Sequence, residues 1–143
     1  MKKFYSFLDA SLIEHCPQPL QHLANSNMAA KNQGLITFYG AEDIITVKDS
    51  KVLKAQLSKD SDLEGIVFFS INQFRFDGIL KLELIREVLN KNLEIHFSRE
   101  NLSIKNIQDL EQQLPLLVFL NYSLYRDQTI DYRKKIYENY HRK

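Results

Sequence analysis

The sequence has little cysteine, glycine or proline. Its single cysteine, Cys16, excludes a disulfide within the chain and a zinc site built from several cysteines. The 4 glycines and 3 prolines among 143 residues, with 44% hydrophobic residues, are typical of a folded domain and not of a disordered chain. A glycine-rich phosphate loop and a G-x-S-x-G elbow are both missing. We therefore expect one ordinary domain without a metal site or a cofactor.

Long hydrophobic runs are missing as well. No apolar stretch approaches the roughly 20 residues that a membrane-spanning helix needs. Near the N-terminus, Asp9 and Glu14 interrupt the apolar segment that a signal peptide would require. These features predict a cytoplasmic protein.

No charge of one sign dominates the chain, because 19 lysines and arginines face 18 acidic residues and leave a net charge of +1. Such a balance gives no general attraction to nucleic acid, so we regard nucleic acid as an improbable partner. Residues 125–143 differ, since six lysines and arginines are interleaved there with tyrosines. This pattern favours a solvated helix whose tyrosines pack on the body or on a second subunit. A tail that contacts nucleic acid and a disordered end are the alternatives.

Segments typical of strands alternate with segments typical of helices. The predicted strands are residues 4–8, 35–39, 63–70 and 93–98, with a short edge strand at 102–104. The predicted helices run from Pro17 to Gly34, through Val52–Leu57 after a capping box at Thr46–Asp49, and from Asp77 through Leu89. Helical segments follow at roughly 107–121 and 127–140, with a break near Pro115.

This order predicts an α/β domain with three layers. Its sheet has four or five mostly parallel strands, in a flavodoxin-like or resolvase-like arrangement, and helices cover both faces. Residues 1–106 would form the sheet domain. Residues 107–143 would form C-terminal helices that extend from it and pack on it or on a second subunit. We expect one domain overall.

Polar side chains follow the carboxyl ends of the predicted strands, which is where open parallel sheets bind ligands. The ligand-binding candidates are Asp9, Gln18, Gln21, Ser70, Asn72 and Gln73, and the catalytic candidates are Glu42, His96 and Glu100. Three acids, a histidine and several amides on one rim could bind a hydroxyl-rich ligand or transfer protons. Each also has a structural alternative. His96 could be a hydrogen-bonded histidine on a partly covered strand, Glu42 an acid near a helix N-terminus, and Cys16 an inert thiol.

The stretches FYSFLD, PQPLQHLANSNMAAKNQG, LEGIVFFSINQFRF and IREVLNKNLEIHFSREN resemble, in their order, the catalytic domain of serine recombinases. In that family a strand ends in R-x-S, the first helix contains a glutamine, and the third strand runs into L-D-R-L-x-R. Here Phe7-Leu8-Asp9 stands where the nucleophilic serine is expected, and residues 71–76 read INQFRF. The family's acid and two arginines therefore become Asn72, Gln73 and Phe76. Because phosphoryl transfer depends on guanidinium groups that clamp the phosphate, the resemblance implies the fold without strand exchange.

A second resemblance is to sporadic carbohydrate cluster proteins, which are encoded among bacterial surface-polysaccharide genes. It covers roughly residues 3–106 and depends on Tyr5-Ser6, Pro17-Gln18, Ala41-Glu42, Gly65-Ile66-Val67 and Ile95-His96-Phe97. His15-Cys16 stand where this family has an arginine. The resemblance implies a role in polysaccharide or lipopolysaccharide biosynthesis, with a sugar nucleotide or sugar phosphate bound at the rim.

Three hypotheses follow for function. In the first, Glu42 and His96 act as acid and base, Glu100 orients His96, and Gln18, Gln21 and Ser70 hold ligand hydroxyl groups. In the second, a catalytically inactive recombinase-like domain serves as a module that contacts DNA or protein. In the third, the chain is a structural subunit that forms a homodimer through its C-terminal helices.

Overall fold

A computed structural model describes residues 1–12, 16–43, 50–59, 61–76 and 79–120. The main sheet has five strands: β1 (Lys2–Asp9), β2 (Gly34–Glu42), β3 (Gly65–Phe68), β6 (Glu94–Phe97) and β7 (Leu102–Ile104). The strand order is β2-β1-β3-β6-β7, and all neighbours are parallel except β6 and β7. The prediction of a mostly parallel α/β sheet is therefore confirmed. A small antiparallel pair, β4 (Arg75–Phe76) and β5 (Ile79–Leu80), lies outside this sheet.

Helices cover the two faces of the sheet unequally. Alternate strand residues pack with α2 (Lys51–Leu57), α3 (Leu82–Asn90) and α4 (Ile107–Leu120) in the larger apolar core. On the opposite face, α1 (Gln18–Lys31) contributes Met28 and Ala29 to a smaller core with Phe4 and Val67. Successive side chains of a strand point to opposite faces, which explains why each strand supplies both cores.

The face of α1 toward the sheet is largely polar. Gln21 and Asn25, which are four residues apart and fully buried, point at the ends and the middle of the parallel strands. The Asn25 Nδ2 donates to Ser6 Oγ (3.0 Å) and to the Val67 carbonyl (3.1 Å), and Ser98 Oγ donates to Asn25 Oδ1 (2.6 Å). Hydrogen bonds thus hold α1 to the sheet where apolar contacts are few.

Three predicted helix boundaries are wrong. The first helix ends at Lys31 with Asn32 as its C-cap, and Gly34 is instead the first residue of β2. The third helix begins at Leu82 and not at Asp77, because residues 79–80 pair with 75–76 as strands before it. The helix at 107–120 continues through Pro115. Pro115 and Glu111 are both exposed, so water can reach the Glu111 carbonyl, which receives no N–H from the proline. The predicted capping box at Thr46–Asp49 and the predicted helix at 127–140 lie outside the described residues.

Within the described ranges, no helix is both long enough and apolar enough to span a membrane.

Candidate functional site

The carboxyl ends of β1, β2, β3 and β6 meet at one rim of the sheet. Asp9 and Glu42, the last residues of β1 and β2, are direct neighbours in the strand register. A 3-10 helix, Ile71–Phe74, follows β3 and carries Asn72 and Gln73. Glu100 lies in the turn that follows β6. The strands therefore bring most of the predicted rim residues together.

Asp9 is the buried acid at the centre of this rim. Its side chain is fully inaccessible, and its Oδ1 accepts from the N–H (2.9 Å) and the hydroxyl (2.5 Å) of Ser11. Its Oδ2 has no hydrogen-bond partner within the described part of the chain. Burial is the largest effect on the pKa of Asp9 and raises it to about 6, although the hydrogen bonds from Ser11 lower it. The charge of Asp43 also raises this pKa, and the charge of Arg99 lowers it.

Gln21 binds the backbone around Asp9 with both the oxygen and the nitrogen of its side-chain amide. Its Oε1 accepts from the Asp9 N–H (2.8 Å), and its Nε2 donates to the carbonyls of Asp9 (2.9 Å) and Cys16 (2.8 Å). These bonds fix the end of β1 to the start of α1. Gln18, the first residue of α1, is half-buried beside them.

Ser70 and Gln73 form a capping box at the 3-10 helix that follows β3. The Ser70 hydroxyl accepts from the Asn72 N–H (3.2 Å), and Gln73 Oε1 accepts from the Ser70 N–H (3.0 Å). The Gln73 Nε2 donates across the sheet to the Phe7 carbonyl (3.0 Å). Both side chains therefore close the end of β3. Asn72 is also buried, but its Oδ1 has no hydrogen-bond partner among the described residues.

The predicted contact between Glu100 and His96 is wrong. Glu100 instead accepts from Ser70 Oγ (3.0 Å) and from the Ile71 N–H (2.9 Å), so both of its oxygens bind the start of the 3-10 helix. Glu42 behaves similarly at the next strand along the rim, where its Oε2 accepts from the Val52 N–H (3.2 Å) in the first turn of α2.

His96 forms a separate buried cluster with Glu94 and Ser103. Its Nδ1 lies 2.7 Å from Ser103 Oγ and its Nε2 lies 3.0 Å from Glu94 Oε2. Burial lowers the pKa of His96 below its ordinary value, against the opposing effect of Glu94. Burial favours a higher pKa for Glu94, but hydrogen bonds with Lys2 and His96 outweigh it and lower the pKa. A neutral imidazole and an ionised carboxylate follow near pH 7.

The structure does not bring His96 and Glu42 together as an acid and base pair. His96 pairs with Val67, which pairs with Ser6, and Ser6 lies three residues before Asp9 in β1. His96 is therefore three strands away from Glu42, which corresponds to about 14 Å across the sheet. It is also three residues away along the strand direction, which corresponds to about 10 Å. His96 is also fully buried, and its ring contacts Phe4 near the opposite end of β1. It is not a rim residue.

Three residues that shape these sites had no role assigned from the sequence, although Arg99 follows the fourth predicted strand and Glu94 lies on its polar face. Arg99 carries the positive charge that acts on both Asp9 and Cys16, although burial raises the pKa of the Cys16 thiol overall. Glu94 and Ser103 are the partners of His96, and the alternation of polar residues along β6 was the signal that could have identified Glu94. Among the described residues, no group of three histidines, cysteines or acids could hold a metal ion.

Comparison with known proteins supports the fold and goes no further. No protein-family model matches the chain, and no curated protein matches it in sequence. A resolvase-family site-specific recombinase from Streptococcus pneumoniae has a similar structure, with a TM-score of 0.60 and 11% sequence identity over 96% of this chain and 99% of that one. Neither comparison connects the chain with the carbohydrate cluster proteins, so that resemblance stays a prediction. The chain has a resolvase-like α/β fold.

Proposed function

We propose that this chain is a resolvase-like interaction module that forms a homodimer through α4 and does not exchange DNA strands. The surface of α4 carries the proposal. Leu116 and Phe119 are 45% and 58% exposed, although they lie three residues apart on an apolar helix whose Leu117 and Leu120 are buried in the core. A helix that is apolar beyond its core-facing stripe is typical of one with a second contact.

The charge of α4 favours a second copy of the chain as the partner. After Glu111, the helix contains no charged residue through Leu120. An uncharged apolar face neither attracts a strongly charged partner nor repels an identical face. Related by a two-fold axis, two such faces would contact each other with the same residues on both sides.

The rim supports a role other than strand exchange. The side-chain amides of Gln21 and Gln73 and both oxygens of Glu100 are engaged in hydrogen bonds inside the molecule. Asn72 and Gln73 also replace the charged residues that the recombinase resemblance leads one to expect. Gln21, Gln73 and Glu100 thus hold the rim together, and the guanidinium groups that the resemblance leads one to expect at positions 73 and 76 are missing.

The oligomeric state tests this proposal directly. We expect light scattering to give the mass of a dimer for the whole chain and that of a monomer for Phe119→Glu, because the substitution places two like charges in the contact. Val118→Glu is the matched control, since Val118 is 42% exposed on a different side of the same helix. A monomeric parent chain, or a dimer that survives Phe119→Glu, would rule the proposal out.

A second candidate function is the binding of a small ligand at the rim, where two buried side-chain oxygens have no hydrogen-bond partner among the described residues. Asp9 Oδ2 and Asn72 Oδ1 are both buried without a hydrogen-bond partner in the described ranges, and polar groups of this kind accept hydrogen bonds from ligand hydroxyls. The ligand proposed is the sugar nucleotide or sugar phosphate implied by the carbohydrate resemblance. A thermal-shift screen with such compounds tests it, and a rim ligand must lose its effect in Asn72→Ala.

A further inference from the structure

A cleft opens at the amino end of the sheet, on the side away from the rim. Its volume is about 690 Å³, within the ordinary range for sites that bind small molecules. It lies between the end of α3 and the start of α4. Its polar lining includes Lys2, Glu64, Asn92, Glu94, Lys105 and Gln108, while Leu63, Leu89 and Ile107 supply apolar surface.

Glu94 connects this cleft to the buried His96. Lys2 Nζ donates to Glu94 Oε1 (2.7 Å), and Glu94 Oε2 contacts His96 Nε2 (3.0 Å). Both carboxylate oxygens are therefore engaged inside the protein. The other acid of the lining, Glu64, accepts from the Lys3 N–H (2.9 Å) through its Oε2.

The two lysines of the cleft are not equally neutralised. Lys2 has Glu94 as its partner, whereas the Lys105 ammonium has no ion pair in the part of the chain that the structure describes. Both positive charges act on His96 and oppose its protonation. Lys105 is exposed, so an anion in the cleft would replace water at its ammonium group and share Lys2 with Glu94. The carboxamides of Asn92 and Gln108 could bind the polar remainder of a ligand.

We propose that this cleft is a ligand site that binds the phosphate or carboxylate group of a small metabolite at Lys105 and Lys2. The site does not depend on a dimer through α4 or on a ligand at the rim. Its defining features are a cleft of suitable volume, an unpaired ammonium group, and a second ammonium held by a carboxylate whose other oxygen binds a buried histidine.

The first test uses inorganic phosphate and malonate as probes of the two kinds of anion. At constant ionic strength set with chloride, we expect at least one of them to raise the melting temperature and to bind in isothermal titration. Lys105→Gln should weaken that binding roughly 10-fold, because a charge-assisted hydrogen bond is lost. Lys91→Gln should leave it unchanged, since Lys91 is an exposed lysine near the cleft that does not line it.

Glu94→Gln provides a test of opposite sign. Because it frees Lys2 from its carboxylate while keeping an oxygen that can accept from His96, we expect it to tighten anion binding several-fold. In the parent chain, the bound anion should raise the pKa of His96, measured by NMR, since it neutralises the lysines that oppose protonation.

These results separate a built site from adventitious ions. Equal binding by the parent chain and Lys105→Gln, or the absence of binding by the parent chain, would overturn the proposal. So would an anion that binds without moving the pKa of His96. Because Asn72→Ala changes only the rim, it should keep the response to phosphate or malonate even if the rim binds nothing.

Discussion

Gln21 and Gln73 each use both ends of a side-chain amide to bind backbone groups at the ends of β1 and β3. Their positions match the expectation for ligand-binding residues, but their hydrogen bonds are internal. Asp9 differs from them, because it is a buried acid with one oxygen satisfied and one without a partner among the described residues. At the scale of single residues, the burial of Asp9 therefore lowers the free energy of unfolding when its carboxyl group is ionised.

Asp9→Asn should stabilise the protein at pH 7. The pKa of Asp9 is about 6 in the folded chain against 3.8 for the ordinary group, so the unfolded chain releases this proton first as the pH rises. The resulting loss of stability develops between pH 3.8 and 6 and reaches about 3 kcal/mol above pH 6. Asparagine keeps the acceptor for Ser11 and has no charge, so we expect a gain of about 1–3 kcal/mol in urea unfolding at pH 7.

That advantage of Asp9→Asn should vanish near pH 4, where the folded parent chain carries a protonated Asp9. Asp62→Asn is the control, since Asp62 is exposed and its surface ion pair with Lys3 contributes little. If Asp9→Asn were less stable than the parent chain at pH 7 and its stability depended on pH in the same way, ionisation of Asp9 would not destabilise the folded protein.

At the scale of elements, α1 is the unusual helix, because its buried face joins amides to the sheet. Helices of this kind usually pack through an apolar stripe. In α1 the same stripe begins with Gln21 and Asn25 and becomes apolar only at Met28 and Ala29. The position of the helix therefore depends on hydrogen bonds to particular strand atoms, which specify its register more narrowly than apolar contacts would.

Asn25→Ala should destabilise the fold by about 2–4 kcal/mol, because it leaves the Val67 carbonyl and two serine hydroxyls without their buried partner and opens a small cavity. Asn27→Ala on the same helix is the matched control, since Asn27 is exposed and should change the free energy of unfolding by less than about 0.5 kcal/mol. Equal effects in chemical denaturation would show that the amide network contributes little.

At the scale of the whole molecule, one core extends from β1 to α4. Leu110, Leu117 and Leu120 of α4 belong to the same cluster as Phe7, Phe68 and Phe97 of the sheet. The part of the chain after residue 106 is thus continuous with the sheet domain as far as Leu120. Residues 121–143, including the basic tyrosine-rich segment, lie outside the described structure.

Leu117→Ala should lower the stability of the whole domain by about 2–5 kcal/mol, because it removes a fully buried side chain from this shared core. Tyrosine fluorescence and circular dichroism should still report one coincident transition. Val118→Ala should have a much smaller effect, since Val118 is largely exposed. Two separate transitions, with the sheet unaffected by Leu117→Ala, would mean that α4 unfolds independently.

The sequence by itself determined the five strands of the main sheet, the helices between them as far as α4, and the mostly parallel arrangement, because side-chain periodicity is a local property of the chain. It also indicated which polar residues follow which strand. It did not predict where Asp77 and Pro115 would fall relative to helix boundaries, since β4–β5 pairing and the exposure of the proline depend on neighbours distant in sequence.

Only the tertiary structure decided what the polar residues do. Glu100 and His96 are four positions apart, yet the carboxylate binds the turn after β3 and the imidazole binds Glu94 and Ser103 across β6 and β7. The amino-end cleft likewise joins Lys2 to Lys105, residues from the two ends of the described chain. Hydrogen-bond partners and clefts arise where strands distant in sequence become neighbours, and no local pattern of residues encodes that juxtaposition.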